Sequence, residues 1–349
     1  MHSKTFSPGP IVLMGSGETS PSSGAAFEEV AKCYPKPLRI AILETPAGFE
    51  LNSPKVAGRV GEFLQNRLQN YHPYIDIIPA RRKGTVFSPD NETILEPLYS
   101  ANMIFMGPGS PTYATKQLSG SLAYDIIQAR HRTGAALVLA SAATIAIGCQ
   151  ALPVYEIYKA GMDLHWQPGL NFLHRFGLDV IIVPHWNNAE GGMELDTSHC
   201  FMGEKRFSEL LELNLCHGTV IGIDEHTSLW IDISSNTIKV FGKGVVHIKN
   251  KGIEKELPSG TSESLDILGL FKIPTNWQDD IRPDVWKRLE NYEYTENPSP
   301  SDDVSELVER REIARKAGHF DVADRLRLEV ENLGWRILDT PDGSKLSKI

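Results

Sequence analysis

Leu137-Val138-Leu139-Ala140-Ser141-Ala142-Ala143-Thr144-Ile145-Ala146 is the stretch on which the fold turns. An unbroken apolar run reaches a serine between very small residues, and a second apolar run with helical character follows. A strand buried on both faces reads in this way, as in a parallel sheet covered by helices. A sharp strand-to-helix turn would lift the Ser141 hydroxyl above the sheet, small neighbours would let backbones approach, and the Ala142 N–H would point toward an oxyanion. The alternative is an ordinary junction with Ser141 as helix N-cap.

Working outward, Ile11 to Met14, Leu38 to Leu43, Tyr74 to Ile78, Ile104 to Met106 and Ala136 to Leu139 are expected strands. The segments Gly24 to Cys33, Lys55 to Leu68 and Ser121 to Arg132 are expected helices between them. Alternation of this kind predicts an α/β three-layer sandwich with a mostly parallel sheet. Asp179 to Val183 then runs into Pro184-His185, and Phe207 to Leu213 suits a helix. Thr219 to Ile223, Ser228 to Ile233, Thr237 to Phe241 and Val245 to Ile248 read as a strand and an antiparallel edge extension. In such sheets reactive groups gather at strand carboxyl ends.

Those ends carry the candidate chemistry. Ser141 is the candidate nucleophile. His185, directly after a buried strand, is the candidate general base, and Glu156 is the candidate orienter of its imidazole, with Glu190 and Glu225 as competitors. Gly107-Pro108-Gly109-Ser110-Pro111-Thr112-Tyr113 could bring a second backbone donor to the oxyanion, or be a simple β-turn. Ser110 and Trp186 are expected to touch substrate. Gly15-Ser16-Gly17 invites a dinucleotide reading, but it lacks the third glycine and the well-placed acid.

The formal net charge of −9 argues against a generic nucleic-acid binder, because phosphate neutralisation needs surplus Lys and Arg. Cys33, Cys149, Cys200 and Cys216 form no C-x-x-C pair and are read as reduced thiols, and no H-E-x-x-H occurs. No cofactor or metal is expected. The first residues lack an apolar h-region and no apolar run reaches membrane-spanning length, so the expected compartment is the cytoplasm, with no membrane partner.

The domain expectation is a hydrolase domain over 1–272, a linker over 273–302 and a helical hairpin over 303–349. Asn297-Pro298-Ser299-Pro300-Ser301-Asp302-Asp303 has a linker's makeup. In the tail, Val304, Leu307 and Val308 form one apolar stripe and Phe320, Ala323, Leu326, Val330 and Leu333 another. Gly318-His319 lies between them, and Gly334 stands where a C-cap is expected. Nine Lys/Arg against ten Asp/Glu from 303 onward disfavour nucleic-acid binding by the tail except through a local patch. A docking or homo-oligomerisation hairpin is the expected role.

Over most of residues 10–250 the chain resembles the cyanophycinase and aspartyl dipeptidase E family of serine peptidases, which have the class I glutamine amidotransferase-like fold. The resemblance rests on Gly15-Ser16-Gly17-Glu18, Gly107 to Tyr113, Ala140-Ser141-Ala142-Ala143, Pro168-Gly169-Leu170 before Pro184-His185-Trp186, and Gly222-Ile223-Asp224-Glu225-His226-Thr227, in that order. It implies a serine hydrolase cleaving an amide of a small peptide or isopeptide, with oxyanion donors at Gly109 and Ala142. The chain departs from the family where Ala143 replaces a glycine, where Leu139 stands two before the serine, and where Asn187-Asn188-Ala189-Glu190 replaces a basic cluster that suits acidic carboxylates. A catalytically inactive relative that binds a small molecule, or acts through its tail, is the rival reading. The tail from Glu309 to Gly343 resembles the C-terminal extension of cysteinyl-tRNA synthetases. With no synthetase catalytic module in the chain, that likeness is taken as coincidental.

Overall fold

In the computed structural model, residues 6–214, 216, 218–250, 253–292, 302–333, 335–340 and 343–348 are described. Five apolar segments form the parallel half of an eight-stranded sheet: β1 (Ile11–Met14), β2 (Arg39–Leu43), β3 (Tyr74–Ile78), β4 (Met103–Met106) and β5 (Ala136–Ala140). Strands β1, β4 and β5 are buried at every residue, which explains their lack of polar alternation. Later strands follow the same chain order: β6 (Gln150–Ala151), β7 (Gln167–Pro168), β8 (Val180–Val183), β9 (Thr219–Ile223), β10 (Thr227–Asp232), β11 (Thr237–Gly242), β12 (Val245–Asn250), β13 (Ile253–Pro258) and β14 (Ser262–Ser264).

The first sheet runs β14-β11-β10-β1-β5-β4-β2-β3, and β10 joins β1 antiparallel. A single sheet with an antiparallel edge is therefore only part of the architecture. β8 and β9 pair in parallel in a second sheet, ordered β13-β12-β9-β8-β6-β7. The chain crosses from the second sheet to the first through Asp224-Glu225-His226, where His226 takes a left-handed backbone. The strands on either side of this three-residue turn, β9 and β10, pair in different sheets.

Helix Pro21–Lys32 lays Phe27 and Val30, and helix Ser53–Arg67 lays Val60 and Leu64, on a core shared with Val12, Ile42, Phe105 and Val138. Helix Leu122–Arg132 begins where Ser121 Oγ accepts the Tyr124 N–H, a side-chain N-cap. A second core gathers Ile145, Ile181, Val183, Trp186, Phe207 and Leu210. The cysteines are not all thiols: Cys149 and Cys216 are joined by a disulfide, while Cys33 is exposed and Cys200 buried as free cysteines. No helix among the described residues is long and apolar enough to cross a membrane.

Residues 1–291 and 292–349 form two compact units. The expected linker over 273–302 is not uniformly a linker, because Pro283–Asn291 is helical and belongs to the first unit. Trp286 of that helix packs edge-on against Trp277 at 5.0 Å and donates to the Gln278 carbonyl. Of the expected linker core, Asn297 to Ser301 lie outside the described residues. In the second unit, helices Asp302–Lys316 and Phe320–Asn332 are followed by β15 (Trp335–Thr340) and β16 (Gly343–Lys348), an antiparallel pair. The tail is thus more than a helical hairpin. Its core unites Val304 and Val330 with Trp335 and Ile337, while Phe320 and Leu333 of the expected stripe are exposed. Gly318 has φ +78° between the helices, while Gly334 lies outside the described residues.

Candidate active site

Ser141 stands at the carboxyl end of β5 with φ 50° and ψ −111°, a conformation that costs an L-residue free energy and persists only when its surroundings fix it. Two donors hold the turn here. The Ser141 N–H donates to the Met14 carbonyl at 3.2 Å, and the buried Thr144 hydroxyl lies 2.9 Å from the Leu139 carbonyl and 3.2 Å from that of Met14. The short helix Ala142–Ala146 starts directly after the serine, whose hydroxyl caps none of its N–H groups. An ordinary N-cap would spend the side-chain oxygen on the helix. Here it faces a histidine instead.

His185 follows β8 and also has a left-handed backbone, φ 51°. Its N–H donates to the Gly15 carbonyl at 3.3 Å, which ties the turn to the end of β1. Ser141 Oγ lies 2.9 Å from His185 Nε2, and His185 Nδ1 lies 2.9 Å from Glu225 Oε1. A carboxylate only accepts, so Nδ1 carries the proton and Nε2 is left to accept from the serine hydroxyl. Glu225 is itself held: Asn188 Nδ2 donates to Oε1 at 3.0 Å, and the Glu225 N–H donates to Asn187 Oδ1 at 2.8 Å. The hydrogen bond from His185, helped by that from Asn188, keeps the Glu225 carboxyl below its ordinary value against the opposing effect of partial burial.

Glu156, expected as orienter, does not reach the imidazole. It sits in a distorted helical turn, Tyr155–Lys159, and lines a neighbouring cavity with Phe49, Glu50 and Tyr113. Tyr155, the residue before it, lines both this cavity and the one over Ser141. Glu225, a competitor in sequence, occupies the place because the sheet-to-sheet crossing brings it beside the end of β8. Asn187 and Asn188 were not singled out for it; their only sequence signal is their place directly after His185-Trp186.

Two other expectations change. Ser110 is buried, and its hydroxyl accepts the Tyr113 N–H at the start of helix Pro111–Leu118, so it is a cap rather than a substrate contact. Trp186 points into the core, stacked on His247 at 5.2 Å and edge-on to His199 at 4.2 Å. Gly109 does reach the site. It lines the Ser141 cavity at φ +146°, and a Cβ there would meet the Pro46 carbonyl oxygen at 2.1 Å. Only glycine fits so close a backbone approach. Among the described residues no backbone acceptor takes the Gly109 or Ala142 N–H.

The cavity over Ser141 has a volume of about 250 Å³. Buried Cys200 lies on its wall, and burial pushes that thiol up to about 12, so it is neutral. Among the described residues no group of three or more His, Cys, Asp and Glu side chains could hold a metal ion. The arrangement can deprotonate the Ser141 hydroxyl through His185 and offer two N–H groups to a developing oxyanion.

No protein-family model matches the chain. A crystal structure of a peptidase from an acI-B1 Actinobacterium is similar in fold, with a TM-score of 0.60 and 21% identity, covering 76% of this chain and 100% of that one. A putative peptidase E protein from Listeria monocytogenes EGD-e is more distant, with a TM-score of 0.44 and 16% identity, covering 70% of this chain and 98% of that one. The tail is similar to cysteine–tRNA ligases. That of Caldicellulosiruptor saccharolyticus is 48% identical over 61 residues, 18% of this chain and 13% of the ligase. That of Nitratiruptor sp. is 41% identical over 46 residues, 13% of this chain and 10% of the ligase. The likeness of the tail is therefore not coincidental, although the chain spans only about a tenth of these curated relatives' lengths.

Proposed function

We propose that the chain is a serine hydrolase that cleaves an amide bond in a short peptide or isopeptide through an acyl-enzyme on Ser141. The observation that carries this reading is the unbroken line from Ser141 Oγ through His185 to Glu225, with both contacts at 2.9 Å. His185 Nε2 takes the serine proton as Oγ attacks the carbonyl carbon, and Glu225 stabilises the imidazolium that forms. The Ala142 and Gly109 N–H groups receive the tetrahedral oxyanion, a contribution of about 3–4 kcal/mol per donor. The imidazolium then returns its proton to the leaving amine. Water enters, is deprotonated by the same nitrogen and releases the acid, restoring the serine.

The three-layer sandwich arrangement belongs to this proposal, as does a small peptide or amide as partner, whereas the Cys149–Cys216 disulfide speaks against the expected cytoplasmic setting, where thiols are kept reduced. The second unit is proposed as an interaction module; aminoacylation is not carried over, since the likeness covers only the tail. A fluorophosphonate probe tests the reading: the full chain should label once, on Ser141, and Ser141→Ala should abolish labelling. Equal labelling of the variant would refute the nucleophile.

A further inference from the structure

The cavity over Ser141 is walled by Ile145, Val154, Tyr155, Tyr158 and Phe201. Tyr158 and Phe201 pack with ring centroids 5.3 Å apart, and Phe201 lies 6.0 Å from the His185 ring, so the aromatic wall begins at the reacting atoms. Selecting an acidic side chain would require a surplus cation, best a guanidinium paired through two N–H groups. The cavity has none. Its charged members are one cation and one anion, Lys159 and Glu190, both exposed, with Lys159 Nζ 4.9 Å from the centroid of the Tyr158 ring. Arg206, beyond Tyr158, is committed elsewhere: it donates to the Met202 carbonyl at 2.6 Å and to the Phe201 carbonyl at 2.8 Å, with its guanidinium 5.9 Å from the Tyr158 ring.

We propose that this cavity is a side-chain subsite for an aromatic or branched aliphatic residue next to the scissile amide. The inference rests on the serine-hydrolase reading for the word scissile, but the preference of the cavity is a property of its walls. A phenyl or isobutyl group entering it trades water for the Ile145, Val154, Tyr158 and Phe201 surfaces. An ionised carboxylate entering would lose its hydration and meet only the single exposed ammonium of Lys159, with no guanidinium to pair it through two N–H groups. Val154 and Tyr158 are the residues that would set this specificity.

Binding to the full-length Ser141→Ala protein isolates the subsite from catalysis. With the N-acetyl amides of phenylalanine, leucine and aspartate, titration calorimetry should find the first two at least about tenfold tighter than the third. Tyr158→Ala in the same background should weaken the phenylalanine amide by about tenfold while leaving the circular dichroism unchanged. Val154→Arg should reverse the order in favour of aspartate. Aspartate binding as well as phenylalanine in the Ser141→Ala protein, or no binding of phenylalanine at all, would overturn the proposal. Fluorophosphonate labelling of the unaltered chain reports separately on the nucleophile, so a wrong subsite and a wrong reaction give different results.

Discussion

Glu225 and Glu156 are chemically identical, and what separates them is which nitrogen each can reach. Glu225 accepts the His185 Nδ1 proton at 2.9 Å, whereas Glu156 lines the next cavity. Glu225→Gln should therefore lower kcat by about 10⁴-fold, because an amide in that place no longer enforces the tautomer that leaves Nε2 free to accept. Glu156→Gln should leave kcat within about twofold. Amide hydrolysis measured on both variants, with matched folding by circular dichroism, checks the pair; the reverse order of losses would return the role to Glu156. The depressed Glu225 carboxyl also has a pH consequence. A group whose folded value lies below its unfolded value contributes stability that is complete above the unfolded value and is lost as pH falls through the folded one. Acid unfolding of the unaltered chain and of Glu225→Gln should therefore differ most above the ordinary carboxylate range and converge as pH falls below it. A gap that widens on acidification would contradict the assigned sign. The sequence made Ser141 and His185 legible because each ends a buried strand. It left the third residue open among three glutamates, since fifteen positions along the chain and forty carry no information on distance.

The turns around the site were legible for a different reason at the level of elements. Glycine, proline and very small residues have few uses after an apolar run other than a tight turn, and Gly107 to Tyr113 and Ala140 to Ala143 both carry them. Gly109 is the stricter case, with φ +146° and the Pro46 carbonyl where a Cβ would stand. Gly109→Ala should displace the loop and with it one oxyanion donor, lowering kcat by about 10²–10³-fold. Ala143 is 1% exposed behind Ser141. Ala143→Val overfills that space at about 1–3 kcal/mol and should lower the melting temperature along with fluorophosphonate labelling. Full labelling in both variants would show that neither turn shapes the reactive centre. The division into two sheets was not legible. A run such as Thr219 to Ile223 reports that it is a buried strand, but its partner β8 is set by packing nearly forty residues away. The Cys149–Cys216 disulfide escaped for the same reason, because a separation of 67 positions says nothing about whether two Cα atoms come within 6.5 Å. The strands Trp335–Thr340 and Gly343–Lys348 were missed because the helical stripes before them drew the tail's reading to helices alone.

At the scale of the whole molecule, every residue of the proposed site lies before Asn291, and the two compact units meet in sequence at Asn291 and Tyr292. Each has an apolar core of its own. That of the second is small, built on Val304, Val330, Trp335 and Ile337. A unit of fewer than sixty residues buries a smaller share of its surface and is marginal by itself, whereas the first unit is large enough to fold alone. Helix Pro283–Asn291 must stay with the first unit: Val285 and Leu289 are fully buried, and Arg282 pairs with Asp125 at 3.2 Å. A chain ending after Asn291 should therefore remain soluble, keep its melting transition and label on Ser141 at the rate of the full protein. A chain ending at Lys272 should lose that helix, expose apolar surface on Leu122–Arg132 and unfold at lower temperature. Light scattering on the longer truncation then reports on the tail as an interaction module: a change in mass beyond the deleted residues marks a contact between copies. Loss of labelling after Asn291 would instead mean that the second unit is needed to build the reactive centre, and that the division between the units is not a functional one.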